Sequence, residues 1–225
     1  IVPTDVYMLT GQMFHIPVAL AMNYMAHGCP VVLINFDAQL ALEVIEQERV
    51  SAFLGITTMI NWMMAVEGFE NYDLSSLRNF QYGGGPMPRS VVEAALKAFP
   101  CTMIQGYGQT EGMTMTFLSQ EDHQRAVAGD HPERLGSCGR EGFVSEIRVV
   151  DPEGRPVLKD GSAYGEIIVR SEANMIGYWR RPDLTEKTLR DGWMWTGDIA
   201  VWDEQGYVFI VDRAKDMIIS GGENI

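Results

Sequence analysis

The feature that most limits the fold is a regular alternation of helix-like stretches and short apolar runs between Met13 and Gly106. Short apolar runs that are bounded by glycines and separated by helices are typical of strands buried on both faces of a parallel sheet. This part of the sequence therefore predicts an α/β layer. The predicted helices are 14–27, 38–48, 58–67 and 88–99, and the predicted strands are 31–34, 52–55, 80–82 and 102–105.

After about Leu135 the pattern changes to apolar stretches separated by tight turns. Short strands joined by such turns are typical of a small β-barrel or sandwich. The predicted fold class is α/β, with a layered parallel-sheet subdomain at residues 1–134 followed by a small β-barrel subdomain at residues 135–212. The predicted strands of the second subdomain are 145–150, 165–170, 193–202 and 207–211.

The chain has 225 residues, of which 46% are hydrophobic, and a formal net charge of -13. This length and composition are sufficient for a substantial buried core. A nucleic-acid-binding protein needs clustered Lys and Arg, so we predict no nucleic-acid partner. The negative charge also repels a phosphate ligand, which would need local backbone N–H groups, a few cations or a metal ion.

Cysteine usage and hydropathy indicate the compartment. Cys29, Cys101 and Cys138 form no CxxC pair and suit a reducing environment, so we predict a cytoplasmic protein. Polar residues interrupt the apolar patch at 13–36, so we predict no transmembrane segment, while peripheral membrane contact stays possible. The sequence leaves the oligomeric state open. The sequence begins without Met and stops inside a glycine-rich turn, so we expect a fragment of a longer protein.

Three glycines and a proline, Gly83 to Pro86, follow a predicted strand. Their backbone carries no obstructing side chains, so a flat base or a phosphate can approach closely. The alternative interpretation is a tight strand-to-helix turn that ends at Pro88.

Tyr107, Thr110 and Glu111 lie in a predicted glycine-flanked loop after a buried strand. They offer an aromatic face, a hydroxyl and a carboxylate. A lone carboxylate combined with substrate phosphates is a typical Mg²⁺ environment. The alternative is a polar turn in which Thr110 caps the next segment and Glu111 is solvated.

Asp198 follows Gly197 inside an apolar strand, where aspartate is uncommon. Its carboxylate can accept two hydrogen bonds from a vicinal diol, and Arg213 can donate to sugar oxygens with its fork of N–H groups. The alternatives are a β-bulge at Asp198 and a solvated charge run at 212–216.

In this order, the segments 83–86, 107–111, 195–198 and 212–216 resemble the core motifs of a superfamily of adenylate-forming enzymes. Its members are acyl-CoA synthetases, peptide-synthetase adenylation domains and firefly luciferase. The resemblance implies that a carboxylic acid attacks ATP to give an acyl-adenylate, and that a thiol, here CoA, then takes the acyl group. It also implies that residues 213–225 are the hinge and the truncated start of a small C-terminal α+β domain.

The resemblance implies a role for each matching residue. Tyr107 stacks near adenine, Thr110 contacts the α-phosphate and Glu111 helps to hold Mg²⁺. Asp198 binds both ribose hydroxyls, and Arg213 binds the ribose from the far side. The remaining residues assigned to the nucleotide site are Gly83, Gly84, Gly85, Pro86, Gly108 and Ile210.

Other assignments concern the hinge, the thiol and the acid. Lys215 matches the hinge position, and Gly221 and Gly222 match the turn along the pantetheine arm of CoA. His15 resembles a gate for the substrate carboxylate and joins Thr110 and Glu111 in the predicted catalytic set; the alternative is a histidine at the start of a core helix. The predicted apolar acid pocket consists of Val18, Ala19, Met22, Tyr82, Gln105, Met113 and Thr114.

Departures from the peptide-synthetase pattern favour an acyl-CoA ligase of fatty or aryl acids. Such an adenylation domain, which loads an amino or aryl acid onto a carrier protein, usually has Pro at the place of Gln109 and Asp at the place of His15. Asp37 follows a predicted strand, and we predict that it caps a helix rather than anchors an amino group.

The sequence contains no Ser/Thr/Gly-rich phosphate loop and no C-terminal domain with the lysine of adenylation. The resemblance therefore implies that the fragment alone is inactive, although the whole enzyme is not. A noncatalytic nucleotide-binding fragment remains an alternative from another class. A hydrolase is disfavoured because the Gly-x-Ser-x-Gly motif is absent from the sequence.

Overall fold

The computed structural model describes residues 1–85, 87–213, 219–220 and 223–224, and from residue 212 onward it describes only the backbone. The chain forms two compact units, Ile1–Ile104 and Gln105–Ile225. These units do not coincide with the predicted subdomains, whose boundaries at 134/135 and 212/213 stay predictions. Four predicted site residues lie outside the described residues: Pro86, Lys215, Gly221 and Gly222.

The first unit alternates strands and helices, as the sequence predicts. Its helices are α1 (Ile16–Ala26), α2 (Ala38–Gln47), α3 (Thr57–Met64) and α4 (Arg89–Ala98). Its strands are β1 (Tyr7–Leu9), β2 (Val31–Leu33), β3 (Ala52–Gly55), β4 (Asn79–Gly83) and the beginning of β5 (Thr102–Gln109).

The strand order in this unit is β2-β1-β3-β4-β5, and the β1–β2, β1–β3 and β3–β4 pairs are parallel. The predicted α/β fold with a parallel sheet is therefore confirmed. Asp37 caps α2 as predicted, because its Oδ1 accepts a hydrogen bond from the backbone N–H of Leu40 at 2.9 Å.

Aromatic side chains from two neighbouring strands and a helix end form the core of the first unit. The Phe53 and Phe80 rings stack with centroids 4.6 Å apart, and Phe99 meets Phe80 edge-on at 5.5 Å. All three residues are fully or almost fully buried. Aromatic pairs in these arrangements add to the stabilisation that their burial provides.

Strand β1 is absent from the sequence-based prediction, although it lies between β2 and β3 in the sheet. Tyr7, Met8 and Leu9 are all buried. A run of three apolar residues without glycines on both sides is too short to show a strand period. Strands β2 and β3 come later in the chain, and parallel pairing with them determines that these residues form a strand.

The second unit is mainly antiparallel. A hairpin pairs β5 with β6 (Met113–Leu118), and β6 pairs with β7 (Arg140–Glu141). The helices are α5 (Gln120–Val127) and α6 (Pro182–Thr188). The remaining strands are β8 (Ser145–Val150), β9 (Tyr164–Ser171), β10 (Leu189–Arg190), β11 (Trp193–Trp202), β12 (Val208–Arg213), β13 (Ile219–Ser220) and β14 (Glu223–Asn224).

Strands β8 to β12 form a five-stranded antiparallel sheet in the order β10-β11-β9-β8, with β12 also paired to β11. This curled half-barrel confirms the predicted β subdomain. Strand β12 continues past the predicted end at residue 211, so Asp212 and Arg213 have strand backbone.

The β5–β6 hairpin corrects the prediction of a loop at 107–112. Tyr107 and Gly108 are strand residues, paired with Thr116 and Thr114, and only Thr110–Gly112 form the turn. The glycines on either side of Tyr107 suggested a loop, but pairing with β6 satisfies the backbone groups of this segment and extends the strand.

Gly108 is where the two strands of the hairpin come closest. A Cβ at this position would lie 1.9 Å from the carbonyl oxygen of Met113. Backbone oxygen cannot move aside as a side-chain tip can, so the hairpin requires glycine at this position. The register of β5 and β6 shifts between Tyr107 and Gly108, which marks a bulge.

Among the helices in the part of the chain that the structure describes, none is long and apolar enough to cross a membrane.

We expect Gly108→Ala to lower the free energy of unfolding by about 1–3 kcal/mol, because the new methyl group forces the hairpin backbone apart. Urea denaturation followed by circular dichroism measures this change. Gly136→Ala is the matched control, since a Cβ there would meet nothing within 4 Å. Equal losses in the two variants would contradict the close approach as the reason for glycine at position 108.

Candidate active site

A hydrogen bond joins the two predicted nucleotide-binding residues Tyr107 on β5 and Asp198 on β11. The Tyr107 hydroxyl donates to Oδ2 of Asp198 at 2.6 Å. Tyr107 is 8% exposed and Asp198 is 2% exposed. Two residues that are 91 positions apart in the sequence are therefore held together inside the second unit.

Asp198 occupies an irregular part of β11. Gly197 has φ +77, a left-handed conformation that glycine adopts without strain. The register with β9 shifts between Trp195 and Ile199, so the β-bulge that was the alternative interpretation is observed. The backbone N–H of Asp198 donates to the Thr196 hydroxyl at 3.1 Å. Its role in ribose binding stays a prediction, which the bulge does not oppose.

Two further predicted residues lie on β12, next to this part of β11. The backbone of Arg213 pairs with that of Asp198. The structure describes only the backbone of Arg213. Ile210 pairs with Ala200 and is partly exposed. The sheet register thus brings the backbone of Arg213 beside that of Asp198, and the role of both residues in ribose binding stays a prediction.

The Thr110–Gly112 turn presents two polar side chains in different environments. Thr110 is exposed and Glu111 is half-buried. The Tyr178 hydroxyl donates to Oε1 of Glu111 at 2.8 Å. The alternative in which Glu111 is merely solvated is therefore wrong, because a tyrosine hydroxyl holds its carboxylate.

Both tyrosines at this site are hydrogen-bond donors at neutral pH. Burial, together with the charge of Asp198 and the hydrogen bond to it, raises the pKa of Tyr107 well above 10. Burial and the bond to Glu111 also raise the pKa of Tyr178. A phenol that keeps its proton can hold a carboxylate without cancelling its negative charge.

The predicted residues of the first unit lie at the end of β4 and before α1. Gly83 is the last residue of β4, and Gly84 has φ +74, which favours glycine. His15 immediately precedes α1 and is exposed. This position fits the alternative of a histidine at a helix start, and its role as a substrate gate stays a prediction.

A metal ion at this site would rely on few protein ligands. Within residues 1–85, 87–213, 219–220 and 223–224, no group of three His, Cys, Asp or Glu side chains is arranged to hold a metal. A lone carboxylate such as Glu111 fits a magnesium ion whose other ligands are phosphates and water.

Sequence reasoning missed Tyr178, the residue that contacts Glu111. It lies between Gly177 and Trp179, in a segment without a strand or helix period. An aromatic residue in a loop bounded by glycine and Pro182 was the available signal, but nothing local indicates a partner 67 residues away.

We expect Tyr107→Phe to lower the free energy of unfolding by about 1–3 kcal/mol, because Asp198 loses a buried donor. Chemical denaturation measures the change. Tyr164→Phe is the control, since Tyr164 is 73% exposed on β9. A Tyr107→Phe variant as stable as the control would show that the buried bond contributes nothing.

The same pair predicts a pH dependence. The unfolded chain releases the Tyr107 proton near pH 10 while the folded protein keeps it. The stability associated with this group is therefore present below pH 10 and is lost as the pH rises further, at about 1.4 kcal/mol per pH unit. The stability of Tyr107→Phe should fall less steeply than that of the parent above about pH 10, with a difference in slope that approaches this value, and parallel curves would contradict the raised pKa.

Comparisons with known proteins identify the family of the chain. The chain is 40% identical over 198 residues to a feruloyl-CoA synthase of Amycolatopsis sp, covering 88% of this chain and 38% of that protein. It is 37% identical over 199 residues to the medium/long-chain-fatty-acid–CoA ligase FadD8 of Mycobacterium tuberculosis, covering 88% and 33% of the two chains. The chain thus spans less than half the length of these relatives.

Among solved structures, the amide bond synthetase McbA from Marinactinospora thermotolerans superimposes with a TM-score of 0.90 and 32% identity, over 99% of this chain and 44% of that one. The family model described as AMP-binding enzyme matches residues 1–179. With most of its length inside that match, the chain belongs to the AMP-binding enzyme family.

Proposed function

We propose that the full-length protein activates a carboxylic acid with ATP, forming an acyl-adenylate and pyrophosphate, and then transfers the acyl group to CoA. The observation that carries this proposal is the Asp198 carboxylate, which is buried on β11 and held by Tyr107. Two relatives, a feruloyl-CoA synthase and a medium/long-chain-fatty-acid–CoA ligase, support the same reaction.

The nucleotide is bound mainly by the second unit in this proposal. The Asp198 carboxylate accepts hydrogen bonds from the two ribose hydroxyls, while the Tyr107 hydroxyl holds this carboxylate in place. Arg213 and Ile210 on the paired strand β12 complete the ribose side. The Tyr107 ring is the proposed contact for adenine within the second unit.

The phosphates are bound at the turn of the β5–β6 hairpin. Thr110 is exposed, and its hydroxyl donates a hydrogen bond to the α-phosphate. Glu111 holds Mg²⁺, which neutralises phosphate charge when bound with ATP. These local groups are necessary because the chain has a net charge of -13 and repels the nucleotide overall.

These residues promote the reaction mainly by positioning. The acid carboxylate and the α-phosphorus must be brought together in line, which converts a two-molecule encounter into an attack within one complex. Donors fixed before the reaction stabilise the charge that develops on the phosphate oxygens. The hairpin turn with the exposed Thr110 hydroxyl provides one such donor.

The proposed acid is fatty or aryl. Apolar residues cover all sides of α1, but only Ala21 and Tyr24 of this helix are buried. Met22 and Met25 are exposed, as are Met13 and Phe14 just before the helix. An exposed apolar helix face supports an apolar acid pocket that includes Val18, Ala19 and Met22, with His15 at its entrance.

CoA is the proposed acceptor, reached after rotation at the Lys215 hinge, with Gly221 and Gly222 along the pantetheine arm. The likeness to an amide bond synthetase favours a second candidate, in which an amine takes the acyl group from the adenylate. We also propose a cytoplasmic location, which the free thiols Cys29, Cys101 and Cys138 support.

We expect the full-length protein to catalyse pyrophosphate–ATP exchange that depends on an added fatty or aryl acid. A panel of both acid classes, with amino acids as the negative set, measures this. Product analysis with CoA in one arm and a simple amine in the other separates the two acceptors. Exchange that is indifferent to every acid would overturn the proposed reaction.

Asp198→Asn should weaken ATP binding about ten- to a hundredfold, because two charge-assisted hydrogen bonds to the ribose become neutral ones. Isothermal titration calorimetry measures the dissociation constant. Asp160→Asn, in an exposed turn of the same unit, is the control and should bind ATP normally. Unchanged binding by a correctly folded Asp198→Asn would remove Asp198 from the nucleotide site.

A further inference from the structure

The segment from Ser171 to Arg181 packs around the turn that carries Glu111. The backbone N–H of Met175 donates to the Glu111 carbonyl oxygen at 2.6 Å. The Tyr178 hydroxyl donates to the Glu111 carboxylate at 2.8 Å. One short segment therefore holds both the backbone and the side chain of the residue to which the proposed function assigns the metal ion.

Tyr178 is itself fixed from the other side by α6. Its backbone N–H donates to the Thr185 hydroxyl at 2.9 Å, and that hydroxyl donates to the Arg181 carbonyl oxygen at 3.0 Å. Gly177 permits this approach, because a Cβ there would lie 2.9 Å from Thr185 Cγ2. Thr185, Tyr178 and Glu111 thus form a connected series from helix to turn.

The type of donor matters for the chemistry at Glu111. Among the residues that the structure describes, no Arg or Lys forms an ion pair with this carboxylate. A cation in that place would compete with a metal ion for the negative charge. A neutral phenol restricts the carboxylate to one orientation and leaves its charge available.

We propose that Tyr178 is a positioning residue for Glu111, and that the Thr185–Tyr178 series orients the carboxylate for the metal–nucleotide complex. This proposal rests on the proposed function, in which Glu111 holds Mg²⁺. Residues that hydrogen-bond to metal ligands typically contribute ten- to a hundredfold to metal affinity.

The test measures ATP binding by the full-length protein as a function of Mg²⁺ concentration. We expect Tyr178→Phe to raise the Mg²⁺ concentration for half-maximal enhancement of ATP binding about tenfold, and to leave ATP binding in EDTA unchanged. Binding of Mn²⁺ to the protein–ATP complex, followed by electron paramagnetic resonance, should weaken by a similar factor. Tyr164→Phe, which removes an exposed hydroxyl from the same unit, should match the parent in both measurements.

A second pair of variants tests the series without altering the tyrosine. Thr185→Val removes the hydroxyl that binds the Tyr178 backbone and should shift the Mg²⁺ requirement in the same direction, whereas Thr185→Ser should restore it. If Tyr178→Phe fails to fold, the two Thr185 variants test the positioning role instead. Parental Mg²⁺ dependence in folded Tyr178→Phe, or in Thr185→Val when Tyr178→Phe does not fold, overturns the positioning role.

Glu111→Gln separates this proposal from the one on which it rests. If Glu111→Gln leaves the Mg²⁺ dependence unchanged, Glu111 is not a magnesium ligand and both proposals fail. If Glu111→Gln shifts the dependence while the Tyr178 and Thr185 variants do not, the assignment of the metal to Glu111 survives and only the positioning role is wrong.

Discussion

A hydrogen bond between a phenol and a carboxylate holds the candidate site of the second unit together. Tyr107 and Asp198 are both buried, and a bond in such surroundings is stronger than one in water. Loss of the Tyr107 hydroxyl would remove one hydrogen bond from a carboxylate that lies away from solvent, which is costly. The bond therefore fixes β5 against β11, and the Thr110–Gly112 turn begins only three residues after Tyr107.

A second phenol performs a similar task at the turn. Tyr178 holds Glu111 as Tyr107 holds Asp198, and each tyrosine keeps its proton because burial and a neighbouring carboxylate raise its pKa. The two carboxylates, proposed to bind the ribose and the metal ion respectively, are thus oriented by neutral donors. This arrangement restricts their motion and preserves their negative charge for hydroxyls or a metal ion.

Local patterns in the sequence were sufficient for much of the fold. Glycine-bounded apolar runs identified most of the parallel strands and Asp37 was recognised as a helix cap, whereas a bulge at Asp198 was only one of two interpretations of that residue. Pairing over long distances was not accessible in this way. Strand β1 is defined by its pairing with β2 and β3, which lie later in the chain. The contact of Tyr178 with Glu111 spans 67 residues. A sequence indicates which side chains can react, but the register of strands and the packing of loops determine which of them meet.

The apolar surface around α1 has a chemical consequence beyond the choice of acid. Three of its four exposed large side chains, Met13, Met22 and Met25, are thioethers, and only Phe14 is not. Peroxide converts an accessible methionine to a sulfoxide, which is polar and chiral. Oxidation of these side chains would make an apolar surface polar, while the buried aromatic core of the first unit stayed intact. The affinity of the protein for apolar molecules would therefore depend on whether these methionines are oxidised.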